Sequence, residues 1–516
     1  MLMTREQIRQ DAFFDGLTEA ILDRDQPRTT DLYFQMVARH RRSTGDALGV
    51  LTSAEAPFVQ VPSHINVRDG QVTLVNNDHT ILGLRTSARL TPYLPEAYRL
   101  LPLLQSVWYV PAGLDIWNQL LGRYPGRYAT MKGMVVPPPS YGPVVWNQDQ
   151  DPIAPEGTTE EKLHAHLIAT MSGDVRNSYG LFLGLVGDPA MRALVCDQLQ
   201  FLGLIDLQDT IAGRKARNTG HKALRARAVV ELADLVGWER AHGVYYIGVP
   251  DMAVGPLYYS VYDAACVLVS SELPDAGKGL ARDNVAALAE VDAEELLRLL
   301  TDADTQAVWE RLTAHLRSGV SIRCLGDAIQ IGAAELILRT TVPRQFTDGQ
   351  HAFDYCNAAN AWLRATDNPY RARVLYLMAS FVNDAARADK LFTSVIEGEC
   401  AGVDLSGRTP QALLVELDEA ILAFDAPRST AIARAYLASG ADRRAFQAAV
   451  AVTACKFQDD PHNQKITLSA YEEYAASSSH LRDRLLLAAV RLLAGWPKMP
   501  GERECYARFM REWIKN

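Results

Sequence analysis

The chain has 516 residues, 48% of them hydrophobic and 22% charged, an ordinary globular profile with length enough for more than one core. A net charge of -9 without basic runs argues against a nucleic-acid partner, and no apolar run approaches the roughly 18 residues that would span a bilayer. The seven cysteines are scattered without a CxxC pair, and MLMTREQIRQDAFF lacks a secretory pattern, so a reduced, cytoplasmic setting is expected.

Residues 4–24 and 28–43 read as an amphipathic helical pair, with Ile8, Phe13, Leu17, Ile21 and Leu22 at helical spacing. VTLVNNDHTILGL alternates and is β-branched on both sides of Asn76-Asn77-Asp78, which predicts a small hairpin within 57–86. The apolar run at 100–122 should lie against the main body. The proline-rich stretch 135–157 is expected as a linker or strap, placing a boundary between a 1–156 region and a 157–516 domain.

Beyond Thr158 the pattern is almost all helix. Thr158-x-x-Glu161 and Asp292-x-x-Glu295 read as capping boxes, and Thr409-Pro410 as an N-cap with proline at the first helical position. Alanine-rich faces at 446–455 and 485–495 permit close helix approach. The fold class expected is mainly α, a helical repeat or bundle domain with a smaller N-terminal region, and the segment 251–291 falls outside the repeat as a possible cap.

One unit recurs three times. Ser172-Gly173, Ser318-Gly319 and Ser439-Gly440 each precede an apolar helical run, and each run leads to a histidine: His221, His351 and His462. Seven residues beyond each histidine stands a small side chain, Ala228, Ala358 or Ser469. Repeated units put equivalent residues in equivalent places, so the three imidazoles are candidates for one transition-metal site. Positive partial charge at a helix start also favours the neutral, metal-binding ring. The alternative is a helical repeat whose histidines only hydrogen-bond at helix starts.

Further ligands are sought in His164 and His166, of which only one can face a site from a single helix, with His242 and His315 weaker candidates. Glu161–His164 and Glu239–His242 form ExxH patterns that raise a ferritin-like di-iron alternative. Lys222 and Lys456 lie near the histidines, where a buried lysine can take up carbon dioxide and become an anionic ligand. Trp238, Tyr245, Tyr258, Tyr355 and Trp362 are candidates to wall a pocket for a flat aromatic substrate. No Walker A loop, GxGxxG after a strand, GxSxG elbow or HExxH is present.

The stretches TGHKALRARAVVELADLVGWERA, HAFDYCNAANAW and ACKFQDDPHNQKITLSAYEEYA resemble the questin oxidase-like proteins over the C-terminal two-thirds of the chain. That resemblance implies an all-helical, non-heme metal oxygenase acting on polycyclic aromatic natural products. It carries onto His221, His351 and His462. Where the pattern has a histidine after Gly237-Trp238-Glu239, this chain has Arg240, with His242 two positions later. The expectation is therefore an oxygenase or oxidase with Fe(II), or another divalent transition metal, that brings dioxygen to an aromatic or polyketide-like substrate. A non-catalytic scaffold binding a protein partner is the rival from another class.

Overall fold

A computed structural model of the chain describes residues 1–56, 66–68, 71–73, 79–120, 151–207, 220–253, 257, 259–273, 284–341, 346–389, 407–457, 462–495 and 503–514. It is mainly helical. The N-terminal helices are α1 (Arg5–Ile8), α2 (Phe14–Leu22), α3 (Gln26–Phe34) and α4 (Thr44–Glu55), followed by α5 (His79–Leu90) and α6 (Leu101–Leu120). Next come α7 (Thr159–Met171), α8 (Val175–Gly187), α9 (Arg192–Ile205), α10 (His221–Val236), α11 (His242–Gly248) and α12 (Ser260–Glu272). Then follow α13 (Glu290–Asp302), α14 (Thr305–Arg317), α15 (Ile322–Arg339), α16 (Phe346–Ala365) and α17 (Arg371–Asp389). The chain closes with α18 (Pro410–Leu422), α19 (Ala426–Ala438), α20 (Arg443–Ala454), α21 (His462–Ala476), α22 (Asp483–Gly495) and α23 (Glu504–Arg508). No described helix is long and apolar enough to cross a membrane.

Four of these helices form a ring at the centre: α5 packs on α10, α10 on α16, α16 on α21, and α21 back on α5. All four run the same way. Their histidine-bearing ends meet, and Arg85, Arg227, Asn357 and Glu472, farther along each helix, meet as a second layer. α4, α6, α9, α11, α15, α17, α20 and α22 pack directly against this ring.

The turn that feeds the ring is used four times. The amide of Asp25 bonds to the Ala20 carbonyl, Asp174 to Ala169, Val320 to His315 and Asp425 to Ala420, each closing a helix end over a residue in left-handed conformation. That residue is Gly173 or Gly319 in two copies but Arg24 and Phe424 in the others. Asp25, Asp174 and Asp425 then cap the next helix, accepting from Arg28, Asn177 and Arg428 amides. Ser439-Gly440 marks a different junction, between α19 and α20, and the first sequence copy is longer because α8 and α9 both stand between its marker and His221.

Several local expectations hold and others need correction. Thr158 and Glu161 form a reciprocal capping box, and Thr409 caps α18 with Pro410 at its start. The cap of α13 is Ala289, so Asp292 sits inside the first turn and not at the boundary. The strand expected after Asn76-Asn77-Asp78 is helix, because Thr80–Leu84 lie in α5; residues 74–78 are outside the described set. Two three-residue strands, Asn66–Arg68 and Gln71–Thr73, pair antiparallel upstream of that point. Most of the proline-rich strap also falls outside the described residues, although Ile153 donates to the Gly180 carbonyl at 2.8 Å. The N-terminal helices do not stand apart from the rest: one contiguous core cluster runs from Ile8 to Trp513.

Close backbone approach ties α4 to the ring. A Cβ on Gly45 would lie 1.9 Å from the Leu235 carbonyl oxygen at the end of α10. Gly45→Ala should force α4 off α10 and cost about 1–3 kcal/mol, read as a lower midpoint in urea denaturation.

Candidate functional site

Each ring helix delivers one imidazole at its N-terminal end. His79, His221 and His462 are the first residues of α5, α10 and α21, while His351 lies in the second turn of α16, which begins at Phe346 and not at the histidine. Gly220 sets the entry to α10: its φ is +60°, and a Cβ there would be 2.8 Å from Tyr355 Cβ. Thr80 donates its hydroxyl to Glu55 at 2.8 Å and so fixes the start of α5 against α4; burial pushes the Glu55 carboxyl up to about 8.

The four rings touch in a circuit. Centroids are 5.2 Å apart for His79–His221, 5.0 Å for His221–His351, 6.0 Å for His351–His462 and 5.4 Å for His79–His462. His221 and His351 approach through Nε2 atoms at 3.1 Å, a ring-to-ring hydrogen bond. Burial holds His221 and His462 well below the usual imidazole range, and the neighbouring rings and the Lys465 ammonium push the same way, so both are neutral. As the rings stand, no three His, Cys, Asp or Glu side chains among the described residues form a group set to hold an ion. The four ring contacts are edge-to-face, with interplanar angles of 76°, 64°, 77° and 65° around the circuit.

Beneath the imidazoles the bundle axis is polar. Leu82, Leu224, Asp354 and Lys465, each three residues past its histidine, line a cavity of about 20 Å³ with Arg85, Arg227 and Asn357, each six residues past. That is space for about one water. Lys465 Nζ lies 3.5 Å from Asp354 Oδ2, and Ser469 donates to Asp354 Oδ1 at 3.1 Å. Burial raises the Asp354 carboxyl and the Lys465 charge opposes it, with the net shift upward. A smaller cavity of about 10 Å³, lined by His79, Gln105, Tyr109 and Asn463, opens on the other side of α5.

The next layer is ionic and joins all four helices. Arg85 donates from Nε and Nη2 to Glu231 at 2.8 and 3.1 Å and reaches Glu472 at 3.0 Å. Arg227 bonds Glu231 at 2.6 Å, Glu472 at 2.8 Å and the Asn357 carbonyl at 2.7 Å. Asn357 in turn donates to Glu473 at 2.7 Å, and Arg364 clamps Glu473 with two bonds. Burial alone would raise these carboxyls. Arg85 and Arg227 together outweigh it, holding Glu472 at about 2 and Glu231 lower still.

The structure thus brings together His221, His351 and His462 and adds His79, which sequence reasoning missed. A signal for it existed: EAILDRDQPRTT (19–30) and EAILAFDAPRST (419–430) are near copies, placing a fourth repeat unit upstream of α5. Thr86, seven residues past His79, matches the small residues past the other histidines.

The other candidates lie elsewhere. His164 is exposed on α7. His166 is buried, with Gln198 Nε2 at 2.8 Å from its Nδ1, and packs near Phe182. His242 is buried at the start of α11, a helix packed on α4, and is not one of the four rings in the circuit. The di-iron pattern fails on its acids, since Glu161 caps α7 and Glu239 is exposed beside the N-terminal ammonium. Lys222 is buried in an ion pair with Asp206, and Lys456 is held by both oxygens of Asp418 at 2.7 Å, so neither lysine faces the imidazoles as a ligand; Lys465 is the buried lysine that does lie near them.

The aromatic candidates do not wall one pocket at the histidines. Tyr355 donates to the Leu204 carbonyl at 2.8 Å and packs on Phe381, and Tyr245 donates to the Trp238 carbonyl at 2.7 Å. Trp238 and Trp362 line a separate cleft, and Tyr258 is outside the described residues. Comparison of the chain with protein-family models, curated proteins and solved structures yields no match.

Two measurements test these contacts. Arg85→Met leaves the partly buried Glu231 and Glu472 with Arg227 and the more exposed Arg89 as their cations, and stability should fall by about 3 kcal/mol in chemical denaturation. His166, pushed down to about 4 by burial, is neutral in the folded chain at pH values where the unfolded chain, near 6.5, already takes up a proton. Its contribution is complete above pH 6.5 and is lost as pH falls toward 4, at about 1.4 kcal/mol per pH unit. His221 and His462 add to the same slope, so His166→Gln should flatten the pH dependence of stability in part.

Proposed function

We propose that the protein is a non-heme, metal-dependent oxidoreductase in which His79, His221, His351 and His462 hold one transition-metal ion. The reading rests on one observation: four helices that share no loop each present an imidazole to the same buried point. Packing has no need of four histidines there, since apolar residues fill such layers at less cost. Neutral rings are the ligand form. The 3.1 Å between Nε2 of His221 and His351 is also the spacing of two nitrogens each about 2.1 Å from one ion.

Iron(II) is the ion favoured, because an all-nitrogen set without thiolate suits a redox-active first-row metal better than a closed structural zinc site. When bound, the ion would supply dioxygen chemistry. The chain's own part is to orient the four rings, to keep bulk water out of the bundle and to leave Asp354 occupied by Lys465 and Ser469. The resemblance to questin oxidase-like proteins supports an aromatic or polyketide-like substrate with dioxygen as co-substrate. The competing reading is a non-catalytic scaffold in which the imidazoles are a hydrogen-bonded core.

Protein purified without a metal-binding tag, or treated anaerobically with Fe(II), should carry about one iron per chain by elemental analysis. Replacing any one of the four histidines with Ala should cut retention sharply, with effects far from additive because the survivors lose their geometry. Absence of any transition metal before and after Fe(II) addition, with four independent small stability changes, would establish the scaffold instead.

A further inference from the structure

A cleft of about 380 Å³ lies between α9, the loop after α10 and α16. It is within the size range of small-molecule sites and far larger than the cavities at the imidazoles. Val230, one of its lining residues, is nine positions past His221, and Trp362 is eleven past His351, so along the helices it is about 14–17 Å from the histidine layer. It faces outward at the other end of the bundle.

Its chemistry is specific. Trp362 is buried and forms the floor, stacked on Phe201 at 5.7 Å, with its Nε1 donating to Asp197 at 2.8 Å. Thr366 also donates to Asp197 Oδ1, and Asn368 to Oδ2, so that carboxylate is committed to holding the indole. Trp238 is only partly buried. Over its ring lies Arg192, the guanidinium carbon 5.3 Å from the centroid. Arg192 Nε is spent on the Val186 carbonyl at 3.1 Å, and among the described residues no carboxylate pairs with the guanidinium.

We propose that this cleft binds a flat aromatic carboxylate. The partly exposed indole of Trp238 offers aromatic surface for the rings above a floor closed by the buried Trp362, and the terminal nitrogens of Arg192 form a fork that matches a carboxylate. An aliphatic acid would leave the Trp238 indole unused, and a neutral arene would leave the guanidinium unanswered. The site does not depend on whether the imidazoles hold a metal.

The test is calorimetric titration of the full chain with 2-naphthoate, followed in parallel by tryptophan fluorescence. Saturable binding at one site is expected, with 2-naphthamide, of the same shape but neutral, at least about tenfold weaker. Arg192→Gln should weaken naphthoate by a similar factor while leaving the amide unchanged, and Trp238→Leu should weaken both. Melting temperatures near wild type certify that both variants are folded. No saturable binding to the wild-type chain, or equal naphthoate affinity in wild type and Arg192→Gln, would overturn the proposal.

Discussion

The closure of four co-directional helices through one ionic layer is the constraint on which the rest of this structure depends. Parallel neighbours align their dipoles, an arrangement without the mutual cancellation of antiparallel packing. Arg85 and Arg227 bridge Glu231 and Glu472 across α5, α10 and α21, and Asn357 and Glu473 bring in α16. Glu231 and Glu472 stand in the C-terminal halves of α10 and α21, where the dipole disfavours a carboxylate, so the layer holds only because Arg85 and Arg227 reach both. It is also specific about register. Sliding any ring helix by one turn would leave a buried charge without its partner, at a cost no apolar layer imposes.

Fixed register at that layer sets the height of the imidazoles six to ten residues away. His79, His221 and His351 each stand six residues before the ring residue that joins the polar layer, and His462 stands ten before Glu472. At the histidine end, burial with the neighbouring rings and Lys465 holds His221 and His462 below the usual imidazole range, and the partial positive charge at the starts of α10 and α21 acts the same way. A protonated pair at a 5.0 Å ring separation would repel in a medium that screens poorly. The cluster is a convergence of four imidazoles in edge-to-face contact, joined by the His221–His351 hydrogen bond.

The N-terminal helices bind this arrangement together by contributing to it. α5 supplies His79 to the imidazoles, Leu82 and Thr86 to the cavity and Arg85 to the ionic layer, and α4 anchors the start of α5 through Glu55 and Thr80. A region that composition marks off by a proline-rich stretch is thus the fourth wall of the bundle. The cleft at Arg192 and Trp238, by contrast, sets α9 against the far ends of α10 and α16 and makes no use of the imidazole or ionic layers.

The sequence by itself determined the helical class, the caps at Thr158 and Thr409, the repetition, and three of the four histidines, because periodicity, capping and repeat spacing are local properties of the chain. His79 escaped because its unit carries Arg24 where another copy has glycine, and because its β-branched neighbours mimic a strand when read alone. Only tertiary structure could convert Thr80–Leu84 to helix, since packing on α6, α10 and α21 overrides a weak strand propensity. It alone decided which aromatic residues are core and which line a cleft. It also decided that Lys465, rather than Lys222 or Lys456, is the lysine near the imidazoles. Which face a side chain occupies on a helix enclosed on all sides depends on partners remote in sequence, and no local pattern encodes them.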